Sequence, residues 1–113
     1  MFNKNGPAGF LETKQPLETA ELLAGQPFGA EHLFFEDKAS GARAGLWHST
    51  AYTERYDSYP VNEFMYIFEG SVTLIDDSGE HVFRAGDSFV LPKGFSGTWQ
   101  QDEYMLKYFY MSE

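Results

Sequence analysis

The chain contains no cysteine, which removes disulfides, thiolate metal ligands and cysteine nucleophiles in one step and fits a reducing, cytoplasmic setting. Histidine is scarce as well: His32, His48 and His81 have no regular spacing, and each reads as a structural residue rather than a ligand. Positive charge is short, with 8 Lys and Arg against 17 Asp and Glu, and the formal charge of −9 repels phosphate backbones and anionic lipid surfaces. Neither nucleic acid nor membrane is expected as a partner. No apolar run approaches the roughly 20 residues that cross a bilayer, and the opening "MFNKNGPAGF" lacks a basic stretch followed by an apolar one. There is no phosphate-binding glycine loop, no Gly-x-Ser-x-Gly elbow, and no serine with a histidine at a telling distance, so nothing suggests a nucleophilic triad. No repeat and no Gly, Ser or Pro linker divides the chain.

What remains is apolar and aromatic. At 113 residues, 42% hydrophobic and 18% aromatic, one core is expected, and the eleven Phe and seven Tyr favour strands over helices. From Ala30 onward the segments "AEHLFFED", "ARAGLWHSTAY", "EFMYIFEGSVTLID", "EHVFRAG", "SFVLP", "GTWQQ" and "MLKYFYM" are short, rich in aromatic and β-branched residues, and separated by Gly, Asp, Ser and Pro. Asp76, Asp77, Ser78 and Gly79 form a hairpin turn, because Asp and Gly tolerate the dihedrals that reverse two twisted strands. The reading is all-β, a sandwich or closed barrel over residues 30–113. Residues 1–29 are expected to be an extended segment that joins the sheet or a dimer interface. Within them "PLETAELLAGQPF" reads either as one short helix or as a lead-in strand.

Two spacings then carry a resemblance. Glu63 is followed after six residues by Gly70, and Gly86 after five by Pro92-Lys93-Gly94. These match the two motifs of the cupins, and with the strand, turn, strand order between them they cover about half of the chain. The resemblance implies a single-domain cupin, a jelly-roll or double-stranded β-helix barrel. The remaining pattern, "GLW", "NEFMYIFEG", "PKGFSGTW" and "LKYFY", is similar to the subfamily of ureidoglycine aminohydrolase domains and ethanolamine-utilisation cupins. In the metal-binding pattern of this superfamily three His and one Glu hold the ion. Here those positions fall on Asp57, Tyr59, Glu63 and Gly97, and the terminal Asn of the second motif on Gln101. Only Glu63 is retained, so neither a tightly held metal nor any other cofactor is expected.

The residues can also be read on their own. Alternate residues of a strand share a face, so Asp57 and Tyr59 are expected to point together, as are Gly97, Trp99 and Gln101. If Glu63 faces the barrel interior, Met65 and Ile67 face it too. The expected cavity holds two carboxylates, a phenol, an amide and an indole over an apolar floor, with Gly97 leaving room above Trp99. Glu63, Tyr59 and Lys107 are the candidate catalytic residues; Asp57, Trp99, Gln101, Met65 and Trp47 are candidates for substrate binding. Each has a structural alternative: a buried carboxylate that accepts one hydrogen bond, a solvated edge lysine, core or interface indoles. His48 cannot line the same cavity as its neighbour Trp47. Asp57 and Glu63 in one cavity would raise the pKa of at least one, unless Lys107 lies inside as counter-ion.

Three function classes follow. The barrel binds a small polar metabolite; or it is an enzyme acting on a small amino or ureido compound; or it is a structural dimerisation module. The first fits the incomplete metal set best. A homodimer built from edge strands and the N-terminal segment is expected, because Phe28, Leu33, Phe34, Phe35, Tyr108, Phe109 and Tyr110 exceed what one small core readily buries.

Overall fold

The computed structural model describes the backbone of residues 15–16 and all of residues 21–113. Eleven strands occur among them: β1 Gln15–Pro16, β2 Leu22–Gly25, β3 Phe28–Asp37, β4 Ala42–Ser49, β5 Tyr52–Tyr56, β6 Asn62–Glu69, β7 Ser71–Asp76, β8 Gly79–Arg84, β9 Ser88–Leu91, β10 Gly97–Gln101 and β11 Met105–Ser112. They form a six-stranded sheet, β1-β3-β4-β11-β6-β9, and a five-stranded sheet, β2-β5-β10-β7-β8, with every pairing antiparallel. The two sheets close on a core of Met65, Ile67, Leu91 and Met105 from one and Tyr52, Val72, Leu74 and Trp99 from the other, the jelly-roll arrangement expected. Among the described residues no helix is long and apolar enough to cross a membrane.

The strands of the described residues fill in what the sequence left open. Residues 22–25 run as a strand on β5, so over that part the lead-in strand replaces the helix; residues 1–14 and 17–20 lie outside the described residues. The expected barrel start at residue 30 falls inside β3, whose Phe28 and Gly29 already pair with β1 and whose Gly29 pairs with β4. The single segment "ARAGLWHSTAY" divides at Thr50 and Ala51, so that β4 lies in one sheet and β5 in the other. A chain that must cover both sides of one core has to cross between sheets, and hydropathy does not mark where.

The spacings of the two motifs are backbone requirements. Gly70, Gly86 and Gly94 have φ of +89°, +95° and +91°, a region that residues with a Cβ adopt only at a cost. Gly70 sits between β6 and β7, and a Cβ there would lie 2.2 Å from the carbonyl oxygen of Tyr104. Around Gly86 a Cβ would meet nothing within 4 Å. Gly86→Ala should therefore cost only the dihedral penalty, about 1–2 kcal/mol. Gly70→Ala should cost more, about 3 kcal/mol or above, because a backbone must also move. Equilibrium urea unfolding of the two variants measures this difference, and equal losses would contradict it.

Candidate functional site

One end of the space between the sheets remains open as a cavity of about 160 Å³. The five-stranded sheet supplies Tyr52, Glu54 and Tyr56 from β5 and Trp99 from β10; the six-stranded sheet supplies Trp47, Glu63 and Lys107, with Glu31, Phe109 and Met111 also on its wall. Tyr59 enters from the connection between β5 and β6. Its backbone is pinned on both sides, since Tyr59 N–H donates to the carbonyl of Phe95 and Gly94 N–H donates to that of Tyr59, both at 2.8 Å. The glycine of the second motif thereby fixes a phenol of the site.

Lys107 is the centre of the arrangement. Its Nζ donates to Glu63 Oε2 at 2.8 Å and to the sulfur of Met65 at 3.1 Å. It also lies 4.6 Å from the ring centroid of Trp47 and 4.9 Å from that of Trp99, so the ammonium is held by a carboxylate and two indole faces. The second carboxylate oxygen of Glu63 accepts from the Tyr59 hydroxyl at 2.6 Å. Lys107, Glu63 and Tyr59 form one connected trio in which Glu63 and Lys107 are buried. Next to β11 the ladder with β6 slips: Leu106 pairs with Glu69 and Lys107 with Ile67, leaving Phe68 as the extra residue of a bulge. Bulges of this kind change the local twist beside a site.

A second phenol and carboxylate pair was not among the sequence candidates. Glu54 is buried, accepts a hydrogen bond from the Tyr56 hydroxyl, and lies opposite Trp99 in the β5–β10 register. Tyr56 and Tyr59 meet edge to face, with centroids 4.8 Å apart. The signal for Glu54 was present as the alternation Tyr52, Glu54, Tyr56 against Thr53 and Arg55. It went unread because residues 53–56 fell between the expected strand and the motif.

Of the eight sequence candidates, Glu63, Tyr59, Lys107, Trp47 and Trp99 line the cavity. The other three do not. Asp57 has a side chain 89% exposed and reaches Arg55 at 3.6 Å, because the alternation of β5 turns Tyr52, Glu54 and Tyr56 inward and leaves Asp57 on the side of Thr53 and Arg55, just past the end of the strand. The carboxylate that shares the cavity with Glu63 is Glu54. Gln101 is buried behind the wall, where its amide nitrogen donates to Ser49 Oγ at 2.9 Å and to the carbonyl of Glu103 at 3.0 Å, while its oxygen accepts from the indole of Trp99 at 3.1 Å. It ties strand ends and orients the indole. Met65 is completely buried and forms the floor under Lys107. Gly97 leaves no vacancy, since a Cβ would lie 2.3 Å from the carbonyl oxygen of Ile75 and 2.7 Å from the Phe95 ring. His48 faces away from Trp47 and packs against the ring of Tyr104.

These positions do not suit a transition metal. Among the described residues no three His, Cys, Asp or Glu side chains converge as such an ion requires. The one acidic residue retained from the metal-binding pattern, Glu63, holds the ammonium of Lys107 instead. A fixed cation of the chain stands beside that carboxylate.

The three phenols of the cavity titrate abnormally. Burial pushes Tyr56, Tyr59 and Tyr52 well above the ordinary phenol range, with the Glu63 carboxylate adding to the shift at Tyr59 and nearby phenols and Glu54 at Tyr56. All three stay protonated donors near neutral pH. A group whose folded pKa is raised gives stability that is fully present below its unfolded pKa and lost as pH rises through the folded one. Stability should therefore fall above about pH 10, by about 1.4 kcal/mol per pH unit for each phenol. Tyr56→Phe and Tyr59→Phe should each make that fall less steep in unfolding measurements above about pH 10. An unchanged slope would contradict the burial of these hydroxyls. At neutral pH, Glu63→Gln leaves the buried ammonium without its carboxylate and should cost about 3–5 kcal/mol. Lys107→Met with Glu63→Gln should cost much less than the two single losses together, which a double-mutant cycle measures.

Comparison with known proteins bears on the fold. The EutQ-like cupin domain, Cupin_3, matches residues 36–110. Among solved structures, a protein of unknown function of the DUF861 family from Pseudomonas syringae pv. tomato superposes with a TM-score of 0.78 at 26% identity, over 88% of this chain and 43% of that one. This chain thus spans less than half the length of that relative. The EutQ protein of Clostridium difficile superposes with a TM-score of 0.65 at 16% identity, over 86% of this chain and 74% of that one, a likeness of fold. A DUF861 family protein of Thermotoga maritima is 29% identical over 57% of this chain and 73% of its own, with a TM-score of 0.51. No curated protein matches the chain. On the domain match and the barrel together, the chain belongs to the EutQ-like cupin family.

Proposed function

We propose that the barrel binds a small polar metabolite in the cavity over Lys107 and Glu63. The observation that carries this reading is the charged trio itself, Lys107 to Glu63 at 2.8 Å and Glu63 to Tyr59 at 2.6 Å, set at the edge of an open cavity rather than in a sealed core. A buried ion pair is poor material for stability, since apolar side chains of similar volume often serve as well or better. Placed under a cavity, the same groups offer a ligand a carboxylate, an ammonium and phenol hydroxyls at fixed positions between indole walls, the usual make-up of a small-molecule site. Glu54 and Tyr56 repeat the carboxylate and phenol on the opposite sheet, so a compound with donors at both ends, such as an amino or ureido compound, suits both sides.

A second reading is an enzyme acting on such a compound, favoured by the direct contact of Tyr59 with Glu63. In it the Glu63 carboxylate takes a proton from the bound compound and returns the same proton to the product, while the Tyr59 hydroxyl and the Lys107 ammonium hold the carboxylate in place. Calorimetry and thermal melts with a panel of amino, ureido and polyol compounds test the proposal. One class should bind with a Kd below about 1 mM, a free energy of about 4 kcal/mol, and Trp47→Ala should weaken it about tenfold. A panel without any binder would overturn the binding reading. Consumption of the bound compound, followed by NMR and lost in Tyr59→Phe while binding persists, is the outcome that selects the enzyme.

A further inference from the structure

The wall of the cavity is unevenly charged. Glu31, Glu54 and Glu63 line it against Lys107, the one Lys or Arg on that wall among the described residues. An ammonium carries three donors, and Lys107 places its own among the carboxylate of Glu63, the sulfur of Met65 and the indole faces of Trp47 and Trp99. Arg43 does not line the cavity, and it is held by Glu31 at 3.3 Å and by the sulfur of Met111 at 3.1 Å. A carboxylate or phosphate entering here would face carboxylates, and would have to break one of these ion pairs to reach a cation. The phenols act in the same sense. Tyr56 and Tyr59 give their hydroxyl protons to Glu54 and Glu63, so toward a ligand their oxygens accept. Six of the eleven lining side chains are aromatic, and two of those rings already carry an ammonium, at 4.6 and 4.9 Å from their centroids. Such faces attract positive charge.

We infer that the compound bound here is a small organic cation with N–H donors, an amine or a guanidine, that carries no carboxylate of its own. This rests on the binding reading above and goes beyond it by fixing the sign of the ligand's charge. The chain's net charge of −9 draws cations from solution, and a cleft between apolar walls focuses that field. Inside, the head group meets Glu54, which is buried and lines the cavity. A carboxylate has about four acceptor sites, so Glu54 can take a ligand N–H beside the Tyr56 hydroxyl and its other contacts. Hydrogen bonds to an ionised partner are about twice as strong as neutral ones, and a bond between a protonated nitrogen and a carboxylate is ionised on both sides. A ureido nitrogen gains less. An amino acid brings its own carboxylate against the same wall, and like-charge contact takes back what its ammonium gains. The volume of about 160 Å³ equals the share of about five waters, which suits a short chain with a single head group.

Calorimetry of the full chain with butylguanidinium, butylurea and pentanoate tests this, since the three share a butyl chain and a planar head and differ in charge. Butylguanidinium should bind about tenfold tighter than butylurea, and pentanoate at least about 100-fold more weakly than butylguanidinium. Glu54→Gln, with native circular dichroism, keeps an acceptor for the Tyr56 hydroxyl and removes the charge. It should reduce the preference for guanidinium over urea about fivefold while changing the affinity for butylurea by less than about twofold. Pentanoate binding as tightly as butylguanidinium, or butylurea binding tightest, would overturn the inference on the wild type alone, whether or not the variant folds. A preference that Glu54→Gln leaves unchanged would overturn it as well. Binding of a polyol where none of the three binds would remove the cation and leave the binding reading standing, whereas no binder in either set would remove both.

Discussion

The ion pair between Lys107 and Glu63 is the interaction on which the interior of this barrel is organised. Both groups are almost fully buried, and either alone would be a charge stranded in a poorly polarisable medium, costing several kcal/mol. Together they hold each other. The requirement spreads outward from there: the remaining oxygen of Glu63 takes the hydroxyl of Tyr59, the sulfur of Met65 and the indoles of Trp47 and Trp99 surround the ammonium, and Gln101 orients one of those indoles from behind. Strands from both sheets are thus tied to one charge pair, and the cavity beside it inherits fixed donors and acceptors.

Lys107 stands where the charge of Glu63 is met inside the barrel. A metal ion in such a barrel neutralises carboxylate charge and fixes the orientation of the groups around it. Lys107 supplies a positive charge from within the chain, anchored by covalent attachment to β11 and by cross-strand pairing with Trp47. Glu63 is thereby oriented by a cation that belongs to the chain.

The barrel is polarised in a second sense. One sheet turns threonines and charges outward and the other turns aromatic rings outward, although both bury the same core. Strand β6 illustrates the consequence: in "NEFMYIFE" the residues Glu63, Met65 and Ile67 face inward and Phe64, Tyr66 and Phe68 outward. Apart from Glu63 the middle of this strand is apolar on both faces, whereas β5 in "YTERY" alternates as a half-solvated strand does.

Much of the fold was legible in the sequence because it depends on local chemistry. Positive φ demands glycine wherever the chain turns, so the spacings from Glu63 to Gly70 and from Gly86 to Gly94 record the loops of the barrel directly, and aromatic and β-branched segments record its strands. Glu63, Tyr59, Lys107, Trp47 and Trp99 could be singled out on the same basis, by motif position and by alternation within a strand. Asp57, Gln101, Gly97 and Glu54 could not be placed, because their surroundings depend on where a strand ends and which strand lies across from it. Asp57 falls on the outward side of β5 because Tyr52, Glu54 and Tyr56 take the inward one, Gln101 meets Ser49 across 52 residues of sequence, and Glu54 enters the cavity only because β5 crosses to the second sheet. The sequence by itself determined that an all-β barrel would form and which few residues could carry charge inside it. Only the tertiary structure decided which of them meet, since burial and charge pairing are set by non-local register that no segment contains alone.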